Sequence, residues 1–396
     1  MPSREEQIDE LLTRGVAEVI DAEHLKKRLL SGEKLRVKLG IDPTSPNLHL
    51  GRSVPLLKLR DFQRLGHTVV FIVGDFTGQI GDTSDKEAER PMLSAEDVKR
   101  NMENYIEQAS KLLDKDAIEI EYNSKWLSSL TLDQVGALAD SFSVAEFIAR
   151  ENIQKRMEEG KRVSLREMLY PLMQGYDSIM VKADVELGGT DQRFNLLAGR
   201  KLQSVKGDEP QDIVMTDLIL GTDGRKMSSS WGNTINLLDA PEDMFGKVMS
   251  IPDELIMSYF VHCTRVPMKD IAGMAEEIVT GGNPRDAKVR LAKEIVTLYH
   301  GKDEAEKAEK YFIETFSKGH VPEDVREIVV TAGMSLIDAI VENGLATSKS
   351  DARRKIEQGG VEISEEKISD TAYILEESMN SKVMKIGKKD FVRIVF

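Results

Sequence analysis

The chain has 396 residues and a formal net charge of −14 at pH 7, with 40% hydrophobic and 31% charged residues. That length is enough for two or three globular domains, and the acidic balance argues against a protein that coats a nucleic-acid duplex with its whole surface, so any polyanion partner must meet local basic patches. A single cysteine, Cys263, excludes an intrachain disulfide, and the six histidines are scattered without zinc-ligand spacing, so no tightly bound metal is expected.

No apolar run approaches the ~18 residues that span a bilayer. The first ten residues, MPSREEQIDE, carry charges where a signal peptide has its apolar core, so no membrane association and a cytoplasmic setting are expected. The first clear element is the strand LRVKLGI at 35–41, followed by the proline-rich turn DPTSPN. A helix follows over 50–66, with Val54, Leu57, Phe62 and Leu65 at helical spacing and Gly66 as its stop. HTVVFIVGD, 67–75, is a second strand, and strand–helix–strand in this length is a βαβ unit with a parallel sheet. Residues 96–113 and 131–158 are expected to be helical. A second α/β half begins with a helix over 170–182, starting near Pro171. After it come a short strand and glycine turn in ADVELGGTDQ, a helix over 191–203, and a strand over 212–220. Residues 241–317 are helix-rich, 317–327 read as a polar linker, and 332–396 change to two short helices and a strand-rich end.

Two segments carry the chemistry. In DPTSPNLHLGR, 42–52, a strand ends and His49 and Gly51 stand at a helix N-terminus, where free N–H groups and the helix dipole attract anions. In GTDGRKMSSSWGN, 221–233, two adjacent cations and three hydroxyls sit between glycines with no apolar period. That loop leaves the end of a strand, where ligands of open α/β sheets sit. Lys226 is a compact mobile cation suited to a leaving polyphosphate, and the serines can donate to phosphate oxygens.

An HxG turn after the first strand and a KMSxS loop after the last, in this order, resemble the signature of class I aminoacyl-tRNA synthetases. YPLMQGYDSIMVKADVELGGTDQRFN, 170–195, and VKLGIDPTSPNLHLG resemble the tyrosyl-tRNA synthetases within that class. The tail GLATSKSDARRKIEQGGVEI resembles the S4 RNA-binding fold, which bacterial tyrosyl enzymes carry at their C-terminus. The resemblance implies a Rossmann-like parallel-sheet catalytic domain over 1–236 with a helical insertion at about 125–165. A helical anticodon-binding domain over 237–320 and a small α+β S4-like domain over 333–396 would follow. Three positions depart from the family pattern. Arg52 replaces a second histidine, and Lys38 stands where many tyrosyl enzymes have a tyrosine touching the substrate phenol. Ser229 replaces a second lysine, a lost charge for which Arg225 is expected to compensate.

The resemblance further implies a two-step reaction: L-tyrosine attacks ATP to give tyrosyl-adenylate and pyrophosphate, and the tyrosyl group then passes to the terminal ribose of tRNA(Tyr). Catalysis would be carried by Thr44, His49, Arg52, Lys226, Ser229 and Ser230, with Mg2+ accompanying ATP. ATP would lie against Asp42, His49, Gly51, Gly189, Asp191, Lys226, Met227 and Ser229. Tyrosine would be read by Gly40, Asp82, Tyr170, Gln174, Asp177 and Gln192. Tyr170, Gln174 and Asp177, at spacings of four and three, share one helix face. Lys349, Arg353, Arg354 and Lys355 would contact tRNA, and the chain would work as a homodimer through its 125–165 insertion. Two rivals are a non-catalytic RNA-binding paralogue, hinted at by Arg52 and Ser229, and a tryptophanyl enzyme, which Asp177 and the S4-like tail disfavour.

Overall fold

The structure, a computed structural model, describes residues 3–84, 92–317, 325–364, 366–387 and 390–396. The chain divides into two compact units, Met1–Glu306 and Lys307–Phe396. The first opens with α1 (Arg4–Thr13), β1 (Val16–Ile20), α2 (Ala22–Ser31), β2 (Arg36–Ile41), α3 (Leu50–Arg64), β3 (Thr68–Val73) and α4 (Thr77–Ile80). It continues through α5 (Ala95–Met102), α6 (Tyr105–Ser110), β4 (Ile118–Tyr122), α7 (Ser124–Leu127), α8 (Leu132–Asp140), α9 (Val144–Ile148) and α10 (Glu151–Glu158). Then come α11 (Leu165–Met180), β5 (Val185–Gly189), α12 (Arg193–Lys206) and β6 (Asp212–Thr216). The helices α13 (Pro241–Met249), α14 (Ile256–Cys263), α15 (Met268–Val279), α16 (Pro284–His300) and α17 (Lys302–Phe312) follow.

The six strands form one sheet in the order β1-β6-β5-β2-β3-β4. All neighbours are parallel except β1, which runs antiparallel to β6 at the edge. Val69, Val70 and Phe71 of β3 are fully buried, as a parallel strand covered on both faces requires. The expected βαβ unit is β2–α3–β3. Sequence patterning overlooked the helix–strand–helix opening at 4–31 and the edge strand β4. Both strands are only five residues long, and β4 alternates Ile and Glu because only one face packs.

Several expected boundaries shift for local reasons. The helix expected to start near Pro171 starts at Leu165, because Ser164 and Glu167 form a capping box, and Pro171 rides inside it. The helix expected over 131–158 is three short helices, the second nucleated by another capping box between Ser143 and Glu146. The one expected over 96–113 is two, α5 and α6. Asp191 lies in a 3-10 turn, Thr190–Gln192, just before α12. The strand expected to reach residue 220 ends at Thr216, the partner of the last β5 residue, Gly189. Cys263 is buried. Among the described residues no helix is long and apolar enough to cross a membrane.

The second unit holds β7 (Arg326–Val329), α18 (Leu336–Glu342), α19 (Lys349–Glu357), β8 (Val361–Ile363), β9 (Glu366–Ile368), β10 (Val383–Ile386) and β11 (Asp390–Val395). Its sheet order is β7-β11-β10-β8-β9, over a core that includes Leu336, Ile340, Ile356, Met384 and Ile394. β7 precedes residue 333 yet pairs in parallel with β11. Most of the polar segment expected as a linker at 317–327, and the domain boundary expected at 320, lie outside the described residues.

Candidate active site

The turn between β2 and α3 is built around Asp42. Its carboxylate accepts from the Thr77 hydroxyl at 2.7 Å and from the Tyr170 phenol at 2.8 Å. Burial pushes its pKa up to about 6, against the pull of those two hydrogen bonds. Gly74 makes the arrangement possible, since a Cβ there would stand 2.0 Å from Asp42 Oδ1 and 2.4 Å from Thr77 Oγ1. Arg52 reaches back from α3 to donate to the Asp42 carbonyl and to Thr44 Oγ1, both at 2.8 Å. The residue that departs from the family pattern thus organises the turn.

His49 caps α3 with extended backbone and no side-chain capping bond. Its ring is buried, Nδ1 has no hydrogen-bond partner, and burial, then the Arg52 and Lys226 charges, lower its pKa to about 3. Near pH 7 it is a neutral imidazole, able to donate to a phosphate oxygen without a charge of its own.

The two motifs, 176 residues apart in sequence, meet here. Gly51 N–H donates to Met227 Sδ at 3.3 Å, and a Cβ on Gly51 would lie 3.1 Å from the His49 ring. The Ser45 and Ser229 hydroxyls stand 3.4 Å apart. Leu50 N–H donates to the Ile235 carbonyl and Leu237 N–H to the Leu48 carbonyl, both at 2.9 Å, so the turn is stitched to the chain leaving the loop.

Within the loop, Lys226 Nζ lies 2.9 Å from Asp191 Oδ2. Asn233, buried, accepts from Ser228 N–H at 2.9 Å and donates to Asp223 at 2.7 Å, which ties the loop ends together. Ser229 begins a 3-10 turn, and Ser230 is exposed. Arg225 is occupied elsewhere: its Nε donates to Asp223 at 2.7 Å, and its guanidinium lies 4.9 Å from the centre of the Trp231 ring. It is not held as a replacement for the missing second lysine.

The third wall is α11. Asp177 is buried at its inner face, where the Trp126 indole N–H donates to one oxygen at 2.7 Å and Asn123 to the other at 3.2 Å. Burial raises its pKa to about 7, opposed first by the Lys38 charge. Asn123 also donates to Thr77 at 2.9 Å, so one hydrogen-bonded chain joins Asp177 to Asp42. Lys38 is 1% exposed, with Nζ 3.1 Å from Glu186, 3.1 Å from the Gln174 carbonyl and 2.6 Å from Ser178 Oγ. Gln174 Nε2 donates to Glu186 at 3.1 Å. Asp82 accepts from Gln192 Nε2 at 2.7 Å and from the Ser84 hydroxyl at 2.6 Å. Gly189 adjoins Asp191, whose Oδ1 a Cβ there would meet at 2.6 Å, and Gly40 lies on β2 beside Ile72 of β3.

The structure therefore brings Asp42, Thr44, His49, Gly51, Arg52, Asp191, Lys226, Met227 and Ser229 around the paired motifs, with Tyr170, Gln174 and Asp177 on the adjoining helix. Sequence reasoning missed Gly74, Thr77, Asn123, Trp126 and Glu186. The run VGDFTG at a strand end was a signal for the first two; Asn123 and Trp126 come from a segment with no motif. In the second unit Lys349, Arg354 and Lys355 pair with Asp338, Asp351 and Asp351 respectively, and Arg353 is exposed on the same short helix. Asp21, His24 and Asp212 place ligand atoms within 4.8 Å of one another. However, Arg200 lies 3.6 Å from Asp21 and 3.8 Å from Asp212, so cationic side chains already face that cluster.

Residues 30–317 match the family model of class I tRNA synthetases (W and Y), and residues 317–394 match that of the tyrosine–tRNA ligase SYY-like C-terminal domain. The chain is 50% identical to a tyrosine–tRNA ligase of Dehalococcoides mccartyi over 399 positions, covering 100% of both chains. It is 46% identical to that of Thermotoga maritima over 395 positions, covering 98% of this chain and 97% of the other. A tyrosyl-tRNA synthetase from Archaeoglobus fulgidus, solved in complex with L-tyrosine, superposes with a TM-score of 0.61 at 24% identity, over 78% of this chain and 100% of that one. A C-terminally truncated mitochondrial enzyme of Aspergillus nidulans does so at 0.67 and 23% identity, over 78% and 94%. At that identity the structural matches speak for the fold.

Proposed function

The chain belongs to the class I tRNA synthetases of the tryptophan and tyrosine type, and from that premise we propose how its site performs the tyrosine–tRNA ligase reaction. The chain is an aminoacyl-tRNA ligase: it activates L-tyrosine with ATP and passes the tyrosyl group to tRNA. The observation that carries the reading is the contact of Gly51 with Met227, which joins an anion-attracting helix start to a cation-bearing loop beside Asp191.

The tyrosine carboxylate attacks the α-phosphorus of ATP and pyrophosphate leaves, so the protein must supply position and charge rather than a nucleophile. His49 donates to a phosphate oxygen through a ring nitrogen, and Thr44, steadied by Arg52, offers its hydroxyl beside it. Lys226 and the serines of the loop hold the departing pyrophosphate, and Mg2+ arrives with ATP as part of that substrate. Asp191 accepts from the ribose hydroxyls, which requires Lys226 to leave it for the phosphates. The phenol of tyrosine donates to Asp177. Its ammonium meets acceptors from Tyr170, Gln174 and Asp82, and Gln192 meets its carboxylate. Tyr170 already spends its proton on Asp42, which leaves its oxygen lone pairs for a cation.

Transfer to tRNA draws on the second unit as an S4-like RNA-binding domain, through Lys349, Arg353, Arg354 and Lys355, and on the helices after residue 237 as the anticodon-binding domain. A homodimer is supported by Leu132, Val144 and Leu165, which are 88%, 73% and 85% exposed on or next to the insertion. The same part of the chain carries an apolar cavity of about 140 Å3 whose lining includes Leu130, Val135, Leu138 and Leu169. The proposed setting is the cytoplasm, in keeping with a single, buried cysteine.

Tyrosine-dependent exchange between ATP and pyrophosphate, without tRNA, tests the first step. Exchange with tyrosine and not with tryptophan is expected. A folded protein that exchanges with no amino acid is the non-catalytic RNA-binding alternative. Removing residues 325–396 tests the division of labour; the cut falls before β7 because β7 pairs with β11. Adenylate formation should survive the cut. kcat/KM for tRNA should fall by ~100-fold or more, as expected when several phosphate contacts are lost together.

A further inference from the structure

The geometry points to Glu186 as a positioning residue for amino-acid recognition: it turns the side-chain amide of Gln174 so that the amide oxygen faces the ligand's ammonium. The inference rests on the reading of Gln174 as part of the tyrosine site. Glu186 is 1% exposed on β5, in register with Lys38 of β2. One of its oxygens accepts from Lys38 Nζ and from Gln174 Nε2, both at 3.1 Å. The other accepts from Ser178 Oγ at 3.2 Å and from the Gln211 amide.

A glutamine amide has a donor end and an acceptor end of nearly the same shape, and its neighbours decide which way it lies. A carboxylate paired with an ammonium only accepts. Glu186 therefore claims the donor end of Gln174 and leaves the oxygen for whatever enters the site. With a hydroxyl or an amide in its place, Gln174 could reverse and present its NH2 group to a cation. Lys38 makes the buried carboxylate tolerable. It also donates to the Gln174 carbonyl and to Ser178, one turn apart on α11, and so holds that stretch of helix against β2. A buried ion pair rarely stabilises a fold more than a well-packed apolar pair does. Orientation of Gln174 is what this pair supplies and an apolar pair would not. Lys38, which departs from the family pattern, thus acts on the ligand through Glu186 and Gln174.

The test replaces both charges, as Lys38→Met with Glu186→Met in one full-length chain, and measures equilibrium binding of two ligands. One is L-tyrosine; the other is 3-(4-hydroxyphenyl)propionate, which lacks the amino group. Tyrosine affinity should fall ~10- to 100-fold relative to that of the desamino acid, the scale of a lost hydrogen bond to a charged group, because any loss through Asp177, whose burial the Lys38 charge opposes, is common to both ligands. Equal losses for both ligands, or no loss for tyrosine, overturn the inference. Gln174→Ala separates the two layers. If it leaves the ratio of the two affinities unchanged, the reading of Gln174 fails and the inference with it. If it lowers the ratio while the methionine pair does not, the inference alone fails. A crystal structure of the unaltered chain with L-tyrosine is a second test, independent of how the variant folds. The amide nitrogen of Gln174 on Glu186 and its oxygen on the ammonium are expected, and Gln174 turned away from Glu186 overturns the inference.

Discussion

Replacing Lys226 with alanine should slow adenylate formation by ~100- to 1,000-fold, the cost of removing one preorganised group that stabilises developing charge. Lys226 rests 2.9 Å from Asp191, partly exposed on a loop whose ends are tied by Asn233. In the proposed mechanism the ribose of ATP competes for Asp191, and the freed ammonium follows the charge that develops on the leaving pyrophosphate. An interaction that strengthens in the transition state appears in kcat more than in KM. Pre-steady-state adenylation of the variant checks this. A change confined to the KM for ATP would mean that the lysine binds the nucleotide equally in ground and transition states. An unchanged rate would make GRKMSSS a solvated surface loop.

Asp177→Asn should weaken tyrosine binding by ~10- to 150-fold, the range for a hydrogen bond to a charged group, and leave phenylalanine almost unaffected. The preference for tyrosine then contracts by the same factor, which competitive adenylation reads directly. The pH dependence carries a sign. Burial raises the carboxyl from 3.8 to about 7, so in the empty site Asp177 gains a proton as pH falls through 7. An ionised acceptor is what the phenol requires, and tyrosine affinity should therefore drop below pH ~7. Asp42, raised to about 6, responds in the same direction. In the Asp177→Asn protein the decline should begin near pH ~6 instead, where Asp42 alone remains. Folding stability of the ligand-free chain runs the other way. Between about pH 4 and 7 these two carboxyls hold more protons in the folded state than in the unfolded one, so their contribution to stability falls as pH rises through that window. An affinity for tyrosine that is flat from pH 5 to 8 would remove Asp177 from the phenol's recognition.

Elements with strong patterns were readable from residues alone. The βαβ unit β2–α3–β3 announces itself through a continuous apolar strand, a 3.6-residue apolar period and a glycine stop. The DPTSPNLHLGR turn and the KMSSS loop stand out because neither has an apolar period, and their residue types are those that phosphates require. The shared face of Tyr170, Gln174 and Asp177 follows from helix geometry. Boundaries were less legible, since Pro171 looks like a helix start until Ser164 and Glu167 are seen to cap the helix a turn and a half earlier.

What required the folded chain is every relation across long sequence separation. Patterning is local: it tells which face of an element is apolar, but not which distant group will satisfy a buried polar atom. Asp177 is readable as a carboxylate on a helix. That Trp126 and Asn123 hold both its oxygens, with Lys38 countering its burial, depends on three other elements converging. Arg225 looks in sequence like a spare cation beside Lys226, and only the fold assigns it to Asp223 and Trp231. Glu186 carries no motif in sequence. It becomes visible when the register of β2 and β5 sets it opposite Lys38 and beneath Gln174, because a buried charge must find its partners and in doing so orders them.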